Sequence, residues 1–416
     1  MKRLLKVTAS TGMLTLVKMS LGFLIAKVIA IYTGPSGMAM LGQVQSAVSA
    51  FNGIMSSSVG NGIVRYTSEH NNKGYGHCSL WWRASLQWAL MLYGIIMPIL
   101  VYYSEDVAIW LFYDKSYAWL VSLCAFTLPL STLGTLFTSI INGYKNFKRF
   151  VILGMISVII SSACMILLII NYNLKGALIA AVMQSVLIGF IMIVFNIRQP
   201  WFKLRFFLGK TTAESRKQVG SYIIIALVSA VMAPVTLIIV RNILIGSVGW
   251  EKTGEWQAVW KISEVYLGVI TIALSTYYLP QLSSLPDTKA IIKEIHKTAL
   301  VVIPLAIIMA AVVYICRDLI ITILFTKEFS GARELFLIQL IGDVIKIASW
   351  LYAFPMLSRG ATKWFVCSEV FFSVSFVLFV FLFVPMYGSH GANYAYALNY
   401  LLYFTFCITC VRRFSN

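Results

Sequence analysis

The chain is poor in acid and poor in charge of either sign. Asp and Glu number 15 against 33 Lys and Arg, and charged residues make up 12% of its 416 residues, where a soluble domain carries about 25%. An ordinary soluble domain is excluded. Histidine occurs four times, and the seven cysteines are scattered, mostly inside apolar runs, so no metal site can be argued. Cys407 and Cys410 form a C-x-x-C with no His or Asp nearby and read as small packing residues. There is no Walker loop, nucleotide motif or nucleophile–base constellation, and the segments between apolar runs are too short for a soluble catalytic domain. The chain does not read as an enzyme, and no bound cofactor is expected. Transport would draw on a proton or sodium gradient, or on the substrate's own gradient.

What is present is apolar. Hydrophobic residues make up 59% of the chain, in continuous runs of about 20 residues, the length that crosses a bilayer as a helix. The runs do not alternate, which excludes a barrel. Twelve spans are predicted, at 5–32, 37–67, 79–103, 116–142, 150–170, 176–197, 219–246, 255–284, 298–316, 332–358, 363–385 and 391–411, with EDVAIWLFYD (105–114) as a short outer helix. MKRLLK before the first run is signal-like, but the run continues to about Ile31 without a small-residue cleavage site, so a retained first helix is expected. Segments on the N-terminal side hold twenty bases and four acids; those on the other side hold six bases and eight acids. The positive-inside rule then places both termini in the cytoplasm. The formal net charge of +18 is mostly topology, with no need of nucleic acid as a partner.

The chain repeats itself. LFYDKSY (111–117) matches LFTKEFS (324–330), NYNLKGALIAAVMQSVL (171–187) matches MYGSHGANYAYALNYLL (386–402), and GFLIAKVIAI (22–31) matches TLIIVRNILI (236–245), at offsets of 213, 215 and 214. The expected architecture is all-α: a six-helix bundle over 1–197, a basic, aromatic interfacial linker over 198–217, and a second six-helix bundle over 218–416. Parallel repeats of this kind point to a transporter.

Seven bases and three acids remain within or at the edges of the spans: Lys18, Lys27, Arg65, Arg83, Arg241, Lys261 and Lys346, and Glu264, Asp343 and Glu369. A base near the centre of a bilayer costs roughly 2.5–3.5 kcal/mol, so each needs a reason. Lys18 lies deep in LVKMSLGFLIAK (16–27) and either faces a lumen or pairs with a carboxylate. Lys27 either snorkels outward or faces Arg241, its partner in the 214 offset. Arg65 and Arg83 sit near cytoplasmic helix ends, as interface anchors, lipid contacts or substrate contacts. Lys261 with Glu264, and Asp343 with Lys346, stand at i, i+3 and can form local ion pairs. Alternatively the lysines contact an anionic substrate, and the acids, with the isolated Glu369, exchange a proton or cation. Pro129 and Pro234 permit kinks in spans four and seven. Trp81, Trp82, Trp88, Trp256 and Trp260 are expected in an aromatic belt; a lumen-facing ring would instead stack on a sugar.

TLVKMSLGFLIAKVIAIYTGPSG (15–37), GEWQAVWKISEVYL (254–267), LFTKEFSGARELFLIQLIGDVIKI (324–347) and SEVFF (368–372) resemble the Wzx polysaccharide-lipid flippases of the multidrug/oligosaccharidyl-lipid/polysaccharide exporter superfamily. The resemblance spans essentially the whole chain and is strongest to the branch of the lipid III flippases. It implies two six-helix bundles around a V-shaped lumen in the bacterial inner membrane. It also implies flipping of an undecaprenyl-pyrophosphate-linked glycan such as an O-antigen repeat unit. Membrane lipids, a polysaccharide polymerase and a chain-length regulator are the implied partners. The pattern of that branch includes bases at Lys18, Lys27, Arg241 and Lys346 and acids at Glu264, Asp343 and Glu369; Gln45 departs from it, standing where that branch has a base. An excess of bases suits a pyrophosphate head group and disfavours the rival reading, a multidrug or cation antiporter. A membrane-embedded polymerase or glycosyltransferase is the other rival, disfavoured because its large outer loop is missing.

The orientation is open to direct test. In a cysteine-free background, Lys210→Cys is expected to resist an impermeant thiol reagent applied from the periplasm; labelling from that side inverts the topology.

Overall fold

A backbone in hydrocarbon has to satisfy its own polar groups, and among the described residues every regular element is a helix. The computed structural model describes the backbone of residues 2–415 and the side chains of 11–414 other than Tyr222, Ile224 and Ile225. Lys2, Arg3 and Lys6, which enter the orientation count, lie outside the described side chains. In chain order the helices are α1 (Lys2–Ser56), α2 (Asn61–His70), α3 (Tyr75–Tyr102), α4 (Ser104–Phe112), α5 (Ala118–Gly143), α6 (Phe147–Asn196), α7 (Leu204–Phe207), α8 (Ala213–Ala273), α9 (Leu279–Ser284), α10 (Thr288–Ile315), α11 (Arg317–Leu324), α12 (Phe336–Ser358), α13 (Thr362–Tyr387) and α14 (Ser389–Ser415). The short outer helix expected at 105–114 is α4. Pro129 and Pro234 lie inside α5 and α8.

Nine helical stretches among the described residues are long and apolar enough to cross a membrane. Three of them, of 63, 50 and 72 residues, far exceed the ~20 that one crossing needs. Within them the helices α1, α6 and α8 each contain one residue off the helical backbone, Gly34, Asn173 and Gly249. These breaks fall in the gaps predicted between spans one and two, five and six, and seven and eight.

The breaks also carry the internal repeat in the backbone itself. Positive φ recurs at Gly34 and Gly249, at Lys145 and Gly360, and at Asn173 and Gly388. Each pair is separated by 215 residues. The same offset superimposes burial: Ile25, Ala26, Ile29 and Ala30 are buried in α1, and Val240, Arg241, Leu244 and Ile245 in α8. This corrects the register read from GFLIAKVIAI. Arg241 is the counterpart of Ala26, and Lys27 of Asn242. One residue turns a helical side chain by about 100°, so Lys27 and Arg241 do not share a face position.

The structure divides into two compact units, Met1–Val28 with Gln43–Val235, and Ile29–Gly42 with Thr236–Asn416. The units therefore do not part along the expected 198–217 linker. Residues 29–42 pack with the second unit because glycines let chains approach: a Cβ at Gly34 would meet Glu328, and one at Gly254 would meet the backbone of Pro35. Residues 213–235 pack with the first, where Trp81 donates to Gln218 Oε1 at 2.8 Å and Trp88 to the Arg216 carbonyl at 3.1 Å.

Around Trp82 the first unit builds an aromatic core. Trp82 is fully buried, donates to Thr67 Oγ1 at 3.0 Å, stacks on Phe207 at 5.6 Å and meets Trp201 edge-on at 6.4 Å. Trp81 and Trp82 are thus core residues; ring packing and satisfied indole N–H groups hold them away from the expected belt. The core draws in the 198–217 segment, which Arg83 fastens by donating to the carbonyls of Arg205 and Lys210 and Thr211 by donating to Leu80 O at 2.6 Å. Lys203, Leu204, Arg205, Leu208 and Lys210 stay exposed. In detergent, Trp82→Ala is expected to cost about 3–5 kcal/mol, the usual range for a buried Trp, and to lower the melting temperature well below that of Trp110→Ala, whose parent side chain is exposed. Equal melting temperatures would show that Trp82 carries no such core.

Candidate functional site

Helix α12 buries one stripe, Phe336, Gln339, Leu340, Asp343, Ile347, Leu351 and Phe354, at the i, i+3, i+4 spacing of a helix face. Asp343 lies on this stripe with none of its surface exposed. A buried carboxylate needs donors on both oxygens. Oδ2 accepts from Ser263 Oγ and Tyr266 Oη, each at 2.6 Å. Oδ1 accepts from Tyr396 Oη at 2.8 Å and Gln339 Nε2 at 3.3 Å. The donors come from α8, α14 and α12. Gly342 makes room for this arrangement, since a Cβ there would run into the Tyr396 ring.

The expected Asp343–Lys346 ion pair does not form. With both carboxylate oxygens taken by hydroxyls and an amide, Lys346 turns into a box of aromatic rings. Its Nζ stands 5.0 Å from the centroid of Tyr400, 5.1 Å from Trp350, 5.5 Å from Tyr396 and 5.8 Å from Trp260. A cation over a ring face gains ~0.5–2 kcal/mol, more as water is excluded. Among the described residues no carboxylate lies within ion-pair distance of Lys346.

Two rings of the box are themselves pinned. Tyr396 is held by Asp343, and Trp260 donates Nε1 to Glu264 Oε1 at 3.2 Å. Glu264 in turn pairs with Lys261 at 3.0 Å, the i, i+3 pair expected from the sequence. Trp256 packs at 5.1 Å from Trp260, and Phe376 stacks behind it at 6.5 Å. Trp256 and Trp260 are both buried, so they too belong to packing rather than to the expected belt. Nearby in the same unit Arg241, 1% exposed, donates to Gln257 Oε1 at 2.9 Å, and a Cβ on Gly42 would crowd both.

The structure thus gathers Lys261, Glu264, Asp343 and Lys346, all in the second unit, and places Arg241 further back along α8, before the break at Gly249, and Glu369 on α13. Lys18, Lys27, Arg65 and Arg83 belong to the first unit. Lys18 is exposed on α1 and Lys27 half-buried. No carboxylate among the described residues pairs with Lys18. Arg65 pairs with Glu69 at 2.7 Å on the exposed face of α2, and Arg83 donates to two carbonyls of the 198–217 segment, a structural tie. Glu369 is half-buried on α13. Sequence reasoning missed Ser263, Tyr266, Gln339, Trp350, Tyr396 and Tyr400, which carry no charge. The one available signal was spacing: Trp350 follows Lys346 by four residues, and Tyr400 follows Tyr396 by four.

The arrangement offers fixed ring faces, an ammonium and hydrogen-bonded carboxylates, the equipment of a binding surface on helices long and apolar enough to cross a membrane. The fold is that of a multi-pass transporter. It superimposes on the inward-facing conformation of a multidrug resistance MATE family transporter of the MOP superfamily with a TM-score of 0.71, at 14% identity over 96% of this chain and 98% of that one. It superimposes on a MOP superfamily transporter from Pyrococcus furiosus, described as having a binding pocket of reverse polarity, with a TM-score of 0.70, at 13% identity over 99% and 96%. The chain belongs to the family described as "Polysaccharide biosynthesis protein", which matches residues 44–334. It is also 25% identical over 408 residues, 97% of each chain, to the Lipid III flippase of Escherichia coli (strain K12), and equally to that of Shigella flexneri.

The hydroxyl nest and the ion pair make opposite predictions for stability. Tyr396→Phe and Ser263→Ala each remove a donor to a buried carboxylate and are expected to cost about 1.5–3 kcal/mol, read as a drop in melting temperature. Lys346→Gln is expected to leave the melting temperature near that of the wild type. A larger loss for Lys346→Gln than for Tyr396→Phe would restore the lysine as the partner of Asp343.

Proposed function

We propose that this chain is a flippase that moves an undecaprenyl-pyrophosphate-linked oligosaccharide, an O-antigen repeat unit or a related glycan, from the cytoplasmic to the periplasmic leaflet of the bacterial inner membrane. The observation that carries the reading is the end-to-end match to two Lipid III flippases, covering 97% of the chain on both sides. The broken helices support a count of twelve crossings, six from each half, which leaves both termini on one side, and the excess of bases in the segments on that side supports the cytoplasm. The bases held within the spans support an anionic cargo. Lys18, Lys27, Arg241 and Lys346 are assigned to the pyrophosphate, with Lys261 held back in its pair with Glu264. A polymerase and a chain-length regulator would take over the product. The rival cation antiporter is disfavoured by the same excess of bases.

Alternating access needs a drive, and Asp343 is assigned as the main proton or sodium site, ahead of Glu264 and Glu369. Protonation would put a hydrogen on one of the oxygens that now accept from Ser263, Tyr266 and Tyr396. The consequence reaches Lys346 through Tyr396, whose hydroxyl serves Asp343 and whose ring serves the lysine. The experiment uses vesicles containing the purified protein, a fluorescent lipid-linked glycan and an imposed pH or sodium gradient. Lys18→Ala and Arg241→Ala are expected to abolish translocation at normal protein level, while Lys18→Arg and Arg241→Lys keep part of it. Asp343→Asn, which mimics the protonated acid, is expected to bind the glycan lipid but lose its response to the gradient. Full activity in both alanine variants removes the charge assignment, and a wild-type gradient response in Asp343→Asn moves the coupling to Glu264 or Glu369.

A further inference from the structure

The box around Lys346 has a floor and a rim. Trp260 and Tyr396, its floor, are buried, whereas Lys346, Trp350 and Tyr400 are half-exposed. The floor is locked from behind, Trp260 by Glu264 and Tyr396 by Asp343. The rim is carried on two helices at one-turn spacing, Lys346 and Trp350 on α12, Tyr396 and Tyr400 on α14. An ammonium that only had to be kept out of lipid would be served by Asp343, one turn away on the same helix. Here that carboxylate accepts from three hydroxyls and an amide, and the ammonium stands beyond ion-pair distance of every described carboxylate, beside two part-exposed rings.

The geometry points to a carbohydrate subsite on the second unit. A pyranose ring lies on the faces of Trp350 and Tyr400, and an anionic group of the same ligand meets Lys346. The face of an aromatic ring is negative and its edge positive, so it attracts the weakly positive C–H bonds that line one face of a pyranose. The rings lose little freedom on binding because the floor behind them is already fixed. Glu264 and Asp343 act here as positioning residues, through the rings they hold. The anion is either a carboxylate on the sugar or the pyrophosphate that carries the glycan; both are oxyanions that an ammonium recognises. The inference rests on the flippase reading and adds to it the part of the chain that reads the sugar.

The test uses the full chain in lipid nanodiscs and three probes: a prenyl pyrophosphate without sugar, the same lipid bearing a neutral disaccharide, and the same lipid bearing a disaccharide with one carboxylate. The wild type is expected to bind the sugar-bearing probes more tightly than the bare one. Trp350→Leu and Tyr400→Leu keep bulk but lose the ring face; each is expected to reduce that preference by about two- to tenfold, leaving the bare probe unaffected. Trp350→Phe and Tyr400→Phe retain most of the preference and stand in where a leucine variant fails to fold. Lys346→Gln is expected to weaken the acidic probe alone if the anion is the sugar carboxylate, and all three alike if it is the pyrophosphate. Equal binding of bare and sugar-bearing probes by the wild type, or leucine variants that weaken all three alike, overturns the subsite and leaves the flippase reading standing. A wild type that binds none of the three overturns both. Unchanged binding of every probe by Lys346→Gln removes the lysine from the site.

Discussion

The second unit is organised around one carboxylate that has no access to water. Charge in hydrocarbon is tolerated only when it is hydrogen-bonded or paired, and Asp343 meets that demand with donors from three helices, α8, α12 and α14. A hydrogen bond to a charged group contributes about 1.5–3 kcal/mol, and leaving such a group unsatisfied costs more. Sliding or rotating any one of the three helices breaks at least one of these bonds. The carboxylate therefore sets the register of the helices that present the aromatic box. Polar groups fix this packing because the hydrophobic effect does not: lipid tails are as apolar as the leucines.

Among its described residues the first unit has no equivalent charge in its core, and it uses other means. Its α5 and α6 approach closely where Gly134 faces Gly189, so that a Cβ on Gly134 would stand 2.7 Å from the Gly189 Cα. Such small-residue contacts are the usual way for membrane helices to gain dispersion energy. Below them the Trp82 cluster supplies area and two satisfied indole donors, and Arg83 ties the connecting segment to α3. The two sequence repeats thus share a backbone plan, with positive φ at three places related by one offset, while the side chains that stabilise them differ.

Much of the fold was legible from hydropathy and spacing. The helix breaks, the short helix α4 and the duplication are all periodic or compositional features, legible one segment at a time. Lys261 and Glu264 were legible for the same reason, as neighbours on one helix face. Asp343 and Lys346 have the same spacing, yet the ion pair fails because the competing donors lie far away in the chain: Ser263 by 80 residues, Tyr266 by 77 and Tyr396 by 53. Nothing local distinguishes the two cases. The tryptophans misled in the opposite direction. Their position at helix ends suggested a lipid interface, but an indole with an internal acceptor and ring partners gains more inside the protein. The Lys27–Arg241 equivalence failed by a single residue, because the best local match of side chains differed from the backbone register set at the breaks.

Tyr396 joins the two halves of the candidate site. Its hydroxyl donates to Asp343 and its ring faces Lys346, so neither can change without the other being affected. A ligand that draws the ammonium outward weakens the hold on the ring; a proton on Asp343 weakens the hold on the hydroxyl. Either event loosens the same side chain, and the linkage between them is reciprocal by thermodynamic necessity. A relay of this kind needs no direct pair between acid and base. Asp343 and Lys346, one turn apart, stay out of ion-pair contact because both carboxylate oxygens already accept from Ser263, Tyr266, Tyr396 and Gln339, while the ammonium is held among ring faces.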